Sequence, residues 1–151
     1  MNDFKPFEDK LAGLIAALSP AGRRRMTADI AKKLRQRQQQ RIKLQKAPDG
    51  SPFTPRKRQP VRAKKDRIKR EMFAKLRTNR YMKASGGDSA AVVEFTGKVQ
   101  RIARIHQLGL KDKPSPKSAA VDYPQRQLLG FDEISIHLIE KELIMNLSKN
   151  I

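Results

Sequence analysis

The chain has 151 residues and a formal net charge of +19, from 34 Lys and Arg against 15 Asp and Glu, the length of one domain with room for an arm. It has no Cys and no Trp, which excludes disulfide staples, thiol catalysis and Cys-based zinc sites. Its longest apolar run, Leu11 to Leu18, is far short of the ~20 residues that span a bilayer, and its acidic start has no signal-peptide n-region, so a soluble intracellular protein is expected.

Phe4, Phe7, Leu11, Leu14, Ile15 and Leu18 recur at helical spacing. Ser19-Pro20 restarts the chain, with Ser as N-cap and Pro at the first helical position, where it loses no hydrogen bond. The helical pattern then runs to Lys46, with Met26, Ile30, Leu34 and Ile42 as its apolar stripe. From Arg35 to Arg41 the sequence RQRQQQR is polar all round, which predicts a helix that projects beyond its own core as an arm or subunit contact. Ala47-Pro48-Asp49-Gly50 stops it in a turn, and the basic, Pro-rich stretch up to Pro60 reads as an extended loop. A further helix is expected from about Val61 to Lys83, on the face Ile68, Met72, Phe73 and Leu76, and Ser85-Gly86-Gly87-Asp88 reads as a hinge.

The period then changes. Ala91, Val93 and Phe95 alternate with Val92, Glu94 and Thr96 as in a half-buried strand. Val99, Ile102, Ile105 and Leu108 return to helical spacing, closed by Gly109. Residues 110–120 form a Pro/Ser/Lys loop, and Val121–Leu129 reads as a second strand near a sheet edge, because Pro124 cannot donate to a ladder. Asp132 caps a last helix that ends near Leu147, with Phe131 and Ile136 placed for a hydrophobic staple. The apolar face of that helix is Ile136, Ile139, Leu143 and Leu147, widened by Ile144. The expected fold is α+β: long N-terminal helices, a small antiparallel sheet, and a C-terminal helix packed on the sheet. The chain is read as a single domain, 1–151, in which residues 20–85 form a basic, partly projecting helical arm with a Pro-rich loop at 47–60, and residues 86–151 a compact α+β part.

Nothing in the sequence carries catalysis. His106 and His137 are 31 residues apart and fit no metal-ligand spacing; Asp132 and Glu133 are adjacent, so on a helix they point in different directions. Gly86-Gly87 precedes no Lys-Ser/Thr and cannot cradle a phosphate. A non-enzyme without cofactor or metal is expected. The charge is more informative. Residues 21–85 hold 23 Lys and Arg against four acids, so the whole +19 excess lies in that block and the remainder is neutral. Such asymmetry fits a polyanion or an acidic partner. The candidate contacts are Arg56, Lys57, Arg58, Arg62, Lys64 and Lys65. With no stacking platform and no zinc-finger or RNP1 pattern, any nucleic-acid binding would be to phosphates and sequence-independent. A membrane partner is not expected, because the basic helices lack Trp and a broad apolar face.

Three passages together resemble a known family: Arg41-Ile42-Lys43-Leu44-Gln45 followed by Ala47-Pro48-Asp49-Gly50-Ser51-Pro52-Phe53-Thr54-Pro55-Arg56-Lys57; Ala103-Arg104-Ile105-His106-Gln107-Leu108-Gly109; and Tyr123-Pro124-Gln125-Arg126-Gln127-Leu128-Leu129-Gly130 before an acid-capped helix. Their order and spacing are similar to the virion morphogenesis, or tail completion, proteins of contractile-tailed temperate bacteriophages, over about residues 10 to 148. The resemblance implies a structural protein that finishes the tail and joins it to the head, assembling with itself as a ring, hexameric by expectation, at the head–tail junction. Its implied partners are connector, neck and tail tube proteins, with DNA in the lumen as a further candidate, and its implied location is the virion, reached through the host cytoplasm. Asp49, Gly50, Phe53, Pro55, Tyr123, Pro124, Arg126, Leu128 and Leu129 are then the candidate subunit or partner interface. The competing reading is a basic nucleic-acid-binding protein that uses phosphate contacts alone.

Overall fold

The computed structural model describes residues 5–56 and 71–149. In chain order the elements are α1 (Lys5–Ala16), α2 (Pro20–Lys43), β1 (Met82–Gly86), β2 (Ala91–Phe95), α3 (Gln100–Leu108), β3 (Lys111–Asp112), β4 (Val121–Asp122) and α4 (Glu133–Ser148). The architecture is α+β, as expected. β1 and β2 form an antiparallel hairpin in the register Met82–Phe95 to Gly86–Ala91, and β3 and β4 form a separate two-residue ladder.

The long helix is the spine of the molecule. Ser19 caps it through its hydroxyl, which accepts the Gly22 N–H at 3.0 Å. It packs on the β1–β2 hairpin along one part of its surface and on α4 along another. Its buried residues are Met26, Ile30, Ala31, Leu34, Gln38, Arg41 and Ile42, an unbroken i+3/i+4 ladder. The helix therefore does not project at 35–41: the expected arm is an interior element, because two polar residues occupy the places where the apolar stripe lapses.

Two apolar clusters divide the interior. One joins Met26, Ile30 and Leu34 of α2 to Leu18 and to Leu147 of α4, with Ile139 and Leu143 packed on it. The other joins Ile42, Phe53, Met72, Leu76, Met82, Phe95, Ala103 and Leu128. Val93 on the hairpin packs against both, so the sheet lies between them and α4 shares its cluster with Ala91 and Val93.

Helix expectation and structure part company after residue 70. Residues 61–70 lie outside the described residues, but 71–81 form turns and Met82–Gly86 is a strand. Met82, Ala84 and Gly86 face α2 and the core while Lys83 and Ser85 are exposed, the alternation of a half-buried strand. Ser85-Gly86-Gly87-Asp88 is thus the end of a strand and a hairpin turn, closed by the Gly87 N–H donating to Ala90 O at 2.9 Å, and not a hinge. The second predicted strand shrinks to Val121–Asp122. Beyond Pro124 the backbone donors are taken elsewhere: Arg126 N–H goes to His106 O, and Leu128 and Leu129 N–H both go to the Gln107 side chain. With its donors consumed, that segment cannot form a ladder.

α4 is capped as expected, the Asp132 carboxylate accepting the Ser135 N–H at 2.7 Å. Its inward face is turned relative to the expected stripe. Ser135, Glu142 and Leu147 are buried, Ile139 and Leu143 are half-buried, and Ile136 and Ile144 are exposed. The reason is electrostatic. Glu142 is held by Lys33 and the cap residue Asp132 by Arg37, both on α2, so two ion pairs between the helices fix the rotation that apolar periodicity alone would place differently. Phe131 and Ile136 both stay exposed, which leaves the proposed staple pair on the surface.

The closest approach between layers is at Gly86. A Cβ there would lie 2.2 Å from Ala28 N and 2.6 Å from Thr27 C, both backbone atoms of α2, and the Thr27 hydroxyl donates to Gly87 O at 2.6 Å. Neither neighbour can yield without moving a helix. Gly86→Ala is expected to destabilise the protein by about 3 kcal/mol or more, whereas Gly97→Ala, with open space around the new methyl, should stay within about 1 kcal/mol; urea denaturation of the two variants measures the difference.

Candidate functional site

The three sequence passages, joined by contacts between residues up to 89 apart in sequence, converge on one buried polar junction. Its first half starts at the end of α2. Gln45 adopts a left-handed conformation, φ 59°, and the flanking bonds Lys46 N–H to Arg41 O and Gln45 N–H to Ile42 O make a Schellman C-cap. A non-glycine residue there is strained. The side chain offsets this: Gln45 Nε2 donates to Ile42 O and Met72 O, and its Oε1 accepts the Met72 N–H. One amide thus ties the helix end to the returning chain at Met72. The next residue, Phe73, is also left-handed, φ 68°.

The Pro48-Asp49-Gly50 turn follows, with the Asp49 carboxylate accepting from Ser51 N and Oγ at 2.8 and 2.5 Å. The Ser51 hydroxyl and N–H hold the Asp49 carboxyl below its ordinary pKa. The chain then returns, with Phe53 N–H donating to Gln45 O at 2.7 Å and Phe53 buried in the core. From Phe53 a row of edge-to-face rings runs through Phe73 and His106 to Tyr123, with centroids 5.6, 4.9 and 5.2 Å apart. Each such contact is worth about 0.5–1.5 kcal/mol beyond its area. The row draws on all three passages.

Arg126 closes this side. Its guanidinium donates to Thr54 O at 2.7 Å and Pro55 O at 3.2 Å and lies 3.3 Å from His106 Nδ1. Burial, then the charges of Arg126 and Arg56, lower the His106 pKa to about 4, so its ring is neutral at pH 7 and Nδ1 is free to accept from Arg126. Gln107 next to it donates to Leu129 O and accepts from Leu128 and Leu129 N–H, pairing with the segment as a strand neighbour would. Gly109 ends α3 at φ 68° with its N–H on Ile105 O, and a side chain there would sit 2.9 Å from Gln125 N.

The other side is built on Arg41, which is 2% exposed. Its guanidinium donates to Leu128 O at 2.7 Å and to Gln38 Oε1 at 2.6 Å and lies 3.7 Å from Asp132. Gln38 Oε1 also accepts the Gly130 N–H, and Arg37 reaches Asp132 at 2.7 Å. Burial lowers the Arg41 pKa, opposed by the Asp132 charge; an arginine remains protonated regardless. Partial burial alone would raise the Asp132 pKa, but hydrogen bonds from Arg37 and Ser135 bring it down to about 2.

This arrangement distributes the candidate interface residues unevenly. Phe53, Arg126 and Leu128 are buried inside the subunit and act in the junction. Asp49, Gly50 and Pro55 are exposed, and Tyr123, Pro124 and Leu129 are half-buried. Of the candidate polyanion contacts Arg56 is exposed, while Lys57, Arg58, Arg62, Lys64 and Lys65 lie outside the described residues. The sequence reading missed Gln38, Arg41, Gln45 and Gln107. A signal for two of them exists: Gln38 and Arg41 continue the ladder of Met26, Ile30 and Leu34 and lead into Ile42. Beside the Asp49-Gly50 turn lies a depression of about 560 Å³, where Leu44, Phe131, Ile134 and Ile136 are all exposed. Grouped apolar exposure of this kind marks a contact surface. No group of three or more His, Cys, Asp or Glu residues is placed to hold a metal ion among the described residues, and no described helix is long and apolar enough to cross a membrane.

The junction predicts a pH dependence. His106 takes up a proton near pH 4 when folded and near 6.5 when unfolded, so between these values the unfolded chain binds more protons. Stability is complete above pH 6.5 and falls as pH drops towards 4. His106→Asn should flatten that slope in urea titrations, and the imidazole NMR titration of the parent should have its midpoint near 4. Arg41→Met leaves Asp132 short of a partner and removes the side-chain donor from buried Leu128 O, while Gln38 Oε1 keeps the Gly130 N–H, at an expected cost of about 3 kcal/mol, read in the same denaturation assay.

Residues 2–148 match the model of the phage virion morphogenesis family. The chain is 48% identical over 150 residues to tail completion protein S of Escherichia phage P2, covering 99% of this chain and 100% of that protein. No solved structure matches it.

Proposed function

The chain belongs to the phage virion morphogenesis family, and from that premise we propose that it is a structural phage protein that completes the tail. The observation that carries this is full-length likeness to a protein named for tail completion. The structure gives the proposal a physical form. The passages that carry the family resemblance are spent on a buried junction, so they specify a shape and leave the exterior to partners. The protein acts by binding, without catalysis.

In its finer form, copies assemble as a ring, of six by expectation, at the head–tail junction and dock on connector, neck and tail tube proteins. Asp49, Gly50, Pro55, Tyr123, Pro124 and Leu129, with the apolar depression beside the Asp49-Gly50 turn, are the accessible contact residues. The candidate contacts of the basic block, Arg56, Lys57, Arg58, Arg62, Lys64 and Lys65, face an acidic protein surface or DNA in the lumen. The +19 charge also favours a second reading, sequence-independent binding to phosphates.

Particles assembled without this protein should show filled heads and tails that fail to join, with infectivity restored by adding the purified protein. Stable, infectious joined particles in its absence would overturn the reading. If phosphate binding is instead the main role, DNA capture by nuclease-treated protein should fall with salt at a log–log slope of about −0.9 per phosphate contact; reversing the charges of Arg56, Lys57 and Arg58 should then lower that slope.

A further inference from the structure

On a molecule of charge +19, one surface runs against the rule. The outward face of α4 presents Glu133, Ile136, Glu140 and Ile144, spaced three, four and four residues apart, and all four are exposed. They form an acidic and apolar stripe that starts at the depression beside the end of α2, which Glu133 and Ile136 help to line, and continues along the exposed surface of α4. Ile144 is 61% exposed, and among the described residues the basic side chain nearest Glu140 is the exposed His137, at 3.7 Å, which pairs as an ion only when protonated.

A stripe of the opposite character lies on α3. Arg101, Arg104 and Leu108, spaced three and four apart, are exposed along one side of that helix. Leu108 is 51% exposed; Arg104 has no ion-pair partner among the described residues, and Arg101 reaches Asp112 at 2.6 Å while remaining 80% exposed. Lys98, Lys111, Lys113 and Lys117 flank the helix in sequence. α3 packs into one core cluster through Ala103, and α4 into the other through Leu147. Within one subunit, both stripes remain on the surface.

We propose that the α4 stripe of one copy docks on the α3 stripe of the next. Glutamates then meet arginines, and Ile136 and Ile144 cover Leu108. Two different patches of the same chain make a heterologous contact, which closes into a ring when the rotation per subunit divides a full turn. Complementary charges fix the direction of addition and oppose α4-to-α4 or α3-to-α3 pairing. This inference rests on the ring reading and names its joint.

The absence of Cys makes the test direct. Leu108→Cys and Ile144→Cys proteins, each checked for folding by circular dichroism, are treated with a short bis-maleimide separately and mixed, alongside light scattering of the parent. The mixture should give at least about tenfold more cross-linked dimer than either variant alone. Oligomers without the mixed adduct would overturn the α3–α4 joint and leave the ring standing. A parent that is monomeric at every concentration, with no adduct, would overturn both. As a second measurement, Glu140→Arg or Arg104→Glu should each weaken assembly about tenfold or more, and mixing the two variants should restore it; additive losses would sink the joint.

Discussion

A single buried guanidinium, that of Arg41, sets the terms for the rest of the fold. A charge taken out of water must have its donors satisfied, and removing one partner of such a set costs several kcal/mol. Arg41 meets this at its two terminal nitrogens, with Leu128 O, Gln38 and Asp132, while its buried Nε has no hydrogen-bond partner among the described residues. Those partners lie 87 to 91 residues further along or one turn back in the same helix. The end of α2, the irregular segment before α4 and the cap of α4 are therefore held in one geometry. Arg37 on the same helix shares Asp132, so the N-terminus of α4 is tied to α2 at two points and the Lys33–Glu142 pair adds a third.

The second half of the junction works by a related principle, with two side-chain amides and a second guanidinium. Gln45, Gln107 and Arg126 act as replacements for backbone, each donating to or accepting from main-chain atoms of a distant passage. Regular secondary structure satisfies backbone groups locally. Here irregular segments run through the interior, and side-chain amides and a guanidinium satisfy them instead. That is why Arg126 and Leu128 can be buried in a segment that is not a strand, and why two non-glycine residues are held at positive φ. The neutral His106 belongs to the same economy: a charged ring would repel the Arg126 guanidinium, which lies 3.3 Å from its Nδ1.

This division of labour separates the inside from the outside. The passages that carry the resemblance pack into the junction, while Leu44, Phe131, Ile134 and Ile136 stay exposed at the surface. The +19 excess lies in residues 21–85 and the remainder of the chain is neutral, so what distinguishes the α4 stripe is the alternation of exposed glutamates with exposed isoleucines along one line of the helix.

Much of this was legible in the sequence. Capping residues, Ser19 and Asp132, and the terminator Gly109 act through bonds within one turn, so α2, α3 and α4 begin or end where local chemistry places them. The period-two pattern of Ala91–Phe95 needs only a half-buried surface. Membership of the α+β class follows from these. Tertiary structure decided what depends on distant partners. That Gln38 and Arg41 are interior was hidden because polar residues signal exposure until their acceptors, Leu128 O and Gly130 N–H among them, are in place. Met82–Gly86 became a strand because it pairs with β2, and residues 123–129 lost theirs because Gln107 and His106 took the donors. The rotation of α4 was set by Lys33 and Arg37 rather than by its own apolar period. Local interactions fix element boundaries, and only long-range hydrogen bonds and ion pairs determine which face of each element is buried.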